Sequence, residues 1–180
     1  MWFGDATRRP LLDASFIFVE SRFVGRRSQI LDEIRQTKPF VSVEQEGLLG
    51  ILRTADHLRR RGGGLLAPYG ISNQQYNVLR ILRGAGKKGL PTLEIGSRLV
   101  EQDPGITRLL DRLEKKQLIR RRRCPEDRRQ VLCWITVPGR DLLARLDAPI
   151  ERSGRDFFKS LSNKELRGLI LLLDRVRKTP

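Results

Sequence analysis

The chain has 180 residues, with 36 Lys or Arg against 21 Asp or Glu, a formal net charge of +15 and a pI near 11.1. That imbalance favours a polyanionic partner, while 39% hydrophobic residues suffice for one compact core and are too many for a wholly disordered tail protein. No apolar run approaches the roughly 20 residues of a membrane span, which argues against a transmembrane protein. The N-terminal region lacks a continuous apolar stretch with a small-residue cleavage site, so no secretory signal is expected. Two cysteines, Cys124 and Cys133, do not make a disulfide framework. Together with the single His57 they lie too far apart in sequence for a four-ligand zinc site. A reduced, cytoplasmic protein with no metal and no cofactor is the expectation.

Residues 1–40 differ in character from the rest. Phe16, Phe23, Ile30, Leu31 and Ile34 suit either a partner-facing helix over about 15–36 or a poorly ordered extension, and the sequence does not choose. From 43 to 61, Leu48, Leu49, Ile51, Leu52, Ala55 and Leu58 recur at three- and four-residue intervals, which predicts an amphipathic helix. Gly62-Gly63-Gly64 is expected to stop it. Ser72 reads as the N-cap of a second helix carrying Tyr76, Val78, Leu79, Ile81 and Leu82, closed by the glycine-rich segment 84–89. A short helix over about 92–99 carries Leu93, Ile95 and Leu99.

Asp103-Pro104 is the sharpest helix-start signal: Asp can accept from orphan amides, and proline in the first turn has no amide to leave unpaired. The predicted helix spans 104–117. Its Ile106, Leu109, Leu110 and Leu113 face the core, leaving Gly105, Thr107, Arg108, Asp111, Arg112 and Lys115 outward. The run Arg120-Arg121-Arg122-Arg123 and the segment 130–136 then read as two strands of a ribbon with a charged tip. Beyond Pro138-Gly139 a long helical stretch carries Leu142, Leu143, Leu146, Ile150, Phe157 and Phe158. Ser162 caps a last helix with Leu166, Leu169, Ile170, Leu173 and Val176 on its apolar side.

Helix, helix, basic-faced helix and charged hairpin is an order suited to holding one helix in a DNA major groove, about 12 Å wide, beside a flanking ribbon. Between residues 98 and 130 there are 11 Lys or Arg and 6 Asp or Glu, a local net of +5. Charge alone decides little, since charged faces are commonly just solvated. The stripes on the first and last helices also need more cover than one winged lobe supplies, which points to a symmetric pair unless they fold back on their own lobe.

The residues Ile106-Thr107-Arg108-Leu109-Leu110-Asp111-Arg112-Leu113-Glu114-Lys115-Lys116, then Leu118-Ile119-Arg120-Arg121, Pro125-Glu126-Asp127-Arg128-Arg129 and Ile135-Thr136-Val137-Pro138-Gly139-Arg140 together resemble the winged helix-turn-helix of the MarR (multiple antibiotic resistance regulator) family. The match is close over about 65–146 and plausible in pattern over 43–178. The resemblance implies a mainly α fold with a small β-hairpin wing, a winged helix-turn-helix lobe plus a helical dimerisation lobe. It implies a DNA-binding lobe at 65–137 and a dimerisation region at 43–64 and 138–178, and leaves residues 1–40, read as an N-terminal extension, uncovered. It further implies a cytoplasmic homodimer that binds a pseudo-palindromic double-stranded DNA operator, as a repressor, with a small aromatic or anionic effector as a further partner. Carried over, Gln102, Thr107, Arg108 and Arg112 are the groove-contact candidates. Asp127 and Arg129 match a D-x-R wing motif in which the arginine enters the minor groove and the aspartate braces the wing, the alternative being a hairpin-tip ion pair. Gly105, read as the second helical position, departs from the pattern and puts base discrimination at that step in doubt.

Cys124 and Cys133 flank the wing tip and a hairpin could bring them together, but packing is the more ordinary role. His57 could line a crevice or simply face solvent, and Trp134 is expected to pack under the wing. With one histidine, no nucleophile elbow and no phosphate-cradling glycine loop, nothing equips the chain for catalysis. The competing class is a basic winged-helix protein associated with RNA or the ribosome, without operator preference.

Overall fold

The computed structural model describes residues 29–101, 105–125, 127 and 129–178. The chain divides into two compact units, residues 1–55 and 56–180. Among the described residues no helix is long and apolar enough to cross a membrane.

In the first unit, helix α1 (Gln29–Glu33) ends where Arg35 takes a left-handed conformation, φ 55°, and the Gln36 amide donates to Leu31 O at 2.9 Å. The helix expected to reach residue 36 therefore stops three residues earlier, and its first part lies outside the described residues. Helix α2 (Val43–Leu66) begins in this unit and continues into the second. Ser42 Oγ accepts from the Gln45 amide, and Gln45 Oε1 accepts from the Val41 amide, so the start is satisfied locally.

The expected stop at the three glycines is overturned: α2 runs through them to Leu66, followed by a short 3-10 turn, Ala67–Tyr69, and the left-handed Gly70, φ 68°. Three glycines cost about 1 kcal/mol each relative to alanine in a helix. Leu66, 1% exposed, recovers roughly 1.5–3 kcal/mol by burial, and Leu65 packs on the same core. Hydrophobic anchoring just beyond the glycines offsets their poor propensity.

In the second unit, α3 (Asn73–Ala85) starts at Ser72, whose side chain and that of Gln75 form a reciprocal capping box. It buries Val78, Leu79 and Leu82. Helix α4 (Thr92–Ser97) buries Ile95. Helix α5 (Ile106–Lys115) buries Leu109, Leu110 and Leu113. Strands β2 (Ile119–Arg123) and β3 (Val131–Ile135) pair antiparallel with Arg121 opposite Cys133. The two-stranded ribbon gains a third strand, β1 (Leu90–Pro91), giving the order β1-β3-β2. Two residues are too few to show a strand period, and proline is tolerated because β1 is an edge.

Helix α6 (Val137–Phe157) is capped by Thr136, whose hydroxyl accepts from the Gly139 amide, and contributes Leu142, Leu143 and Leu146 to the core. Pro149 lies inside it and removes one helical hydrogen bond without ending the helix. A Cβ on Gly139 would stand 2.2 Å from the Leu118 carbonyl oxygen, so the close approach of α6 to the start of β2 requires glycine. Helix α7 (Asn163–Arg177) has a second capping box, Ser162 with Glu165, and buries none of its residues. The core thus lies between α3, α5, the sheet and the first half of α6, and it holds α5 and the β2–β3 wing side by side.

Candidate nucleic-acid interface

Helix α5 starts at Ile106, with Gly105 as its N-cap residue at φ −95°, ψ 23°. This corrects the placement of Gly105 at the second helical position: at the N-cap glycine carries little penalty, so the propensity cost expected there does not arise. Asp103, Pro104 and the candidate Gln102 lie outside the described residues. Once Leu109, Leu110 and Leu113 face the core, the helical period leaves Thr107, Arg108, Arg112 and Lys115 exposed. Among the described residues none of these three cations meets a carboxylate.

Arg108 and Arg112 share a cleft of 450 Å³ with Lys116, Ser72 and Gln74, where the N-terminal end of α3 approaches α5. Lys116 also donates to the Gly70 carbonyl, tying the end of α5 to the turn before α3. A second groove of 630 Å³ runs between α4 and the wing and brings Thr107, Leu93, Arg129 and Gln130 together. The arrangement joins Thr107 to Arg129 across one groove and Arg108 to Arg112 along the other.

At the wing tip Asp127 is consumed by the turn. Its Oδ1 accepts from the Arg129 amide at 3.0 Å and its Oδ2 from Gln130 Nε2 at 3.0 Å, while its carbonyl accepts from the Gln130 amide at 2.9 Å. Aspartate suits this position because a short side chain can bond to its own backbone two residues on. The Arg129 side chain is exposed, and among the described residues its guanidinium has no carboxylate partner, so the two do not form a hairpin-tip ion pair.

The outward face of α5 is less uniformly exposed than its period suggests, because Asp111 and Glu114 turn toward β2. Arg121 Nη2 lies 2.6 Å from Asp111 Oδ1 and 2.6 Å from Glu114 Oε2, with Nε 2.8 Å from the latter. Glu114 holds the guanidinium more firmly protonated than usual, against the opposing effect of desolvation, and Asp111 adds to it. Asp111 is accordingly half-buried. In the sequence Arg121 is one of four successive arginines, and only the register that pairs it with Cys133 separates it from its neighbours. Gln74 escapes sequence reasoning in the same way, having no motif to mark it, and Lys116, inside the resembling stretch, is not singled out by it.

Arg120 lies on the other face of the wing, its guanidinium 4.7 Å from the Trp134 ring centroid, and Trp134 Nε1 donates to Lys87 O at 3.1 Å. The cysteines are both free and do not approach each other. Cys133 pairs with Arg121, whereas the Cys124 amide bonds to Gln130 O beyond the strand end, three positions along and on the opposite face. At about 3.3 Å per residue that is roughly 10 Å, too far for a disulfide. Burial pushes the Cys133 thiol above its ordinary pKa, with Thr92 opposing the shift. Treatment of the native protein with iodoacetamide at neutral pH is therefore expected to label Cys124 and spare Cys133 until unfolding, as read by peptide mass spectrometry. His57 is exposed and packs its ring 5.8 Å from that of Phe157.

This winged arrangement is shared with known proteins. A family model described as the MarR family matches residues 71–131. The solved structure of a MarR transcription factor from Planctomyces limnophilus is 37% identical, with a TM-score of 0.60 over 76% of this chain and 98% of that one. The chain belongs to the MarR family. Among curated relatives, the HTH-type transcriptional regulator TtmR of Methylorubrum extorquens is 32% identical over 121 residues, 67% of this chain. The match spans 60% of TtmR's own length. The MarR fold is shared further with BpsR of Bordetella bronchiseptica, 22% identical with a TM-score of 0.69 over 79% of this chain and 100% of that one. That structure is described as a mechanism for regulation of BpsR's DNA binding by 6-hydroxynicotinic acid.

Proposed function

We propose that this chain is a transcriptional repressor that binds double-stranded DNA with sequence preference, as a cytoplasmic homodimer on a pseudo-palindromic operator, and that a small aromatic or anionic effector releases it. The observation that carries the reading is the row of exposed cations on α5, without carboxylate partners among the described residues, flanked by the exposed Arg129 on a braced wing. Thr107, Arg108 and Arg112 are of the right kind to meet base edges and phosphates in a major groove. Arg129 is the kind of side chain that a narrow minor groove attracts. Gln102 belongs to the same proposal on sequence grounds.

Dimerisation through 43–64 and 138–178 is supported by apolar side chains that one chain leaves uncovered. On α7, Ile170, Leu171, Leu172 and Val176 are 44–64% exposed, and on α2 Leu48, Ile51 and Leu52 are 43–59% exposed. Such stripes call for a partner surface. For the effector, a cleft of 230 Å³ lined by Leu66, Tyr76, Asn77, Arg80 and Ile150 offers apolar walls, a ring and a cation. BpsR, governed by an aromatic acid, makes that chemistry the natural first choice.

The test is retention at moderate salt of duplex carrying an inverted repeat, against scrambled duplex and structured RNA, followed by footprinting. A dimeric reader protects two half-sites about 10 bp apart, centre to centre. Equal retention of RNA or scrambled duplex favours a non-specific RNA-associated protein, and protection of a single half-site contradicts the dimer.

A further inference from the structure

Four arginines follow one another at 120–123, and strand alternation sends them to two faces of the wing. Arg121 is the one whose guanidinium meets carboxylates among the described residues. Its side chain is 22% exposed, against 44% for Asp111 and 38% for Glu114. Its backbone amide also donates to Glu114 Oε1 at 3.1 Å, so the second residue of β2 after the strand start is bonded to α5 through both main chain and side chain. Asp111 and Glu114 are three apart and stand on one side of α5, Asp111 within a helical turn of both Arg108 and Arg112 and Glu114 within a turn of Arg112. Without Arg121, two carboxylates would sit beside the cations offered to a polyanion.

Resting on the function proposed above, we propose that Arg121 is a positioning residue for DNA. It neutralises Asp111 and Glu114 beside the groove-facing side chains of α5 and fixes that helix against the wing strand. Arg108 and Arg129 are thereby presented to adjacent grooves at a set spacing. A guanidinium fork bridging two carboxylates fixes orientation in a way that a point charge does not. The fold itself does not depend on the pair. Leu110 and Leu113 of α5 and Ile119 and Cys133 of the sheet are buried in one core and hold helix and sheet together, while a partly exposed ion pair adds little stability.

The test uses the full chain, titrated with the duplex that wild type selects from random sequence and with scrambled duplex, across a range of salt. Arg121→Gln is expected to lower affinity for the selected duplex by about tenfold or more. The slope of log affinity against log salt stays unchanged, because Arg121 touches no phosphate. Adding Asp111→Asn and Glu114→Gln to Arg121→Gln restores affinity for scrambled duplex while discrimination stays reduced. Arg121→Lys keeps the charge and secures a folded variant, but cannot span both carboxylates. It is expected to keep scrambled-duplex affinity and lose about threefold or more in discrimination. Lys and Gln variants that discriminate as wild type does overturn the assignment, as does a salt slope lowered by about one ion in Arg121→Gln, which marks a direct phosphate contact. A wild-type protein that selects no duplex overturns the functional reading beneath it, an outcome distinct from either of those.

Discussion

Arg129→Ala is expected to weaken operator binding by about 1–3 kcal/mol per half-site, and most on sites with A·T-rich flanks. The wing supports this expectation because Asp127 already bonds the backbone amide of Arg129 and the Gln130 side chain, so the turn survives loss of the guanidinium. What is lost is the exposed cation alone. Arg108→Ala, on a helix whose buried leucines are untouched, is expected to cost a similar amount, about 1–3 kcal/mol, but to show it as relaxed preference at one base pair per half-site. The two variants separate by their pattern across sequences more than by their size. Quantitative binding to a panel of single-base and flank variants reads both, and wild-type binding by both variants would place the groove contacts elsewhere.

Gly139→Ala is expected to destabilise the fold by roughly 1–3 kcal/mol or more, since overpacking against backbone has no flexible atom to displace. The added methyl would meet the Leu118 carbonyl oxygen at 2.2 Å and Ile135 Cγ1 at 2.8 Å. The first turn of α6 would have to lift from the strand start that carries the wing, so DNA binding falls along with the melting temperature. Gly64→Ala is the matching control: nothing stands within 4 Å of its Cβ, and in a helix interior alanine stabilises by about 1 kcal/mol. Calorimetric scans of both variants should move in opposite directions. An unchanged midpoint for Gly139→Ala would show that the turn opens freely.

The readable parts of the sequence were those with local physics. Ser72 and Ser162, read as N-caps, announced two helices, and the apolar period named Leu109, Leu110 and Leu113 as the inner face of α5. Elements set by distant contacts were not readable. The glycines at 62–64 look like a stop, and only the burial of Leu66 against the rest of the core carries the helix past them. The edge strand Leu90–Pro91 exists because β3 is there to pair with it. The same division runs through the interface. Thr107, Arg108 and Arg112 follow from helix period, and the Asp127 brace from the resemblance to the D-x-R wing motif. Arg121 does not, because its difference from the arginines on either side lies in strand register and in two carboxylates on a neighbouring helix.

The most direct measurement is selection of bound sequences from random duplex DNA by the full chain. A two-fold symmetric consensus, with half-sites about one helical turn apart and A·T preference at its flanks, is the predicted result. Recovery of unenriched sequence, or an asymmetric motif the length of a single half-site, would contradict it.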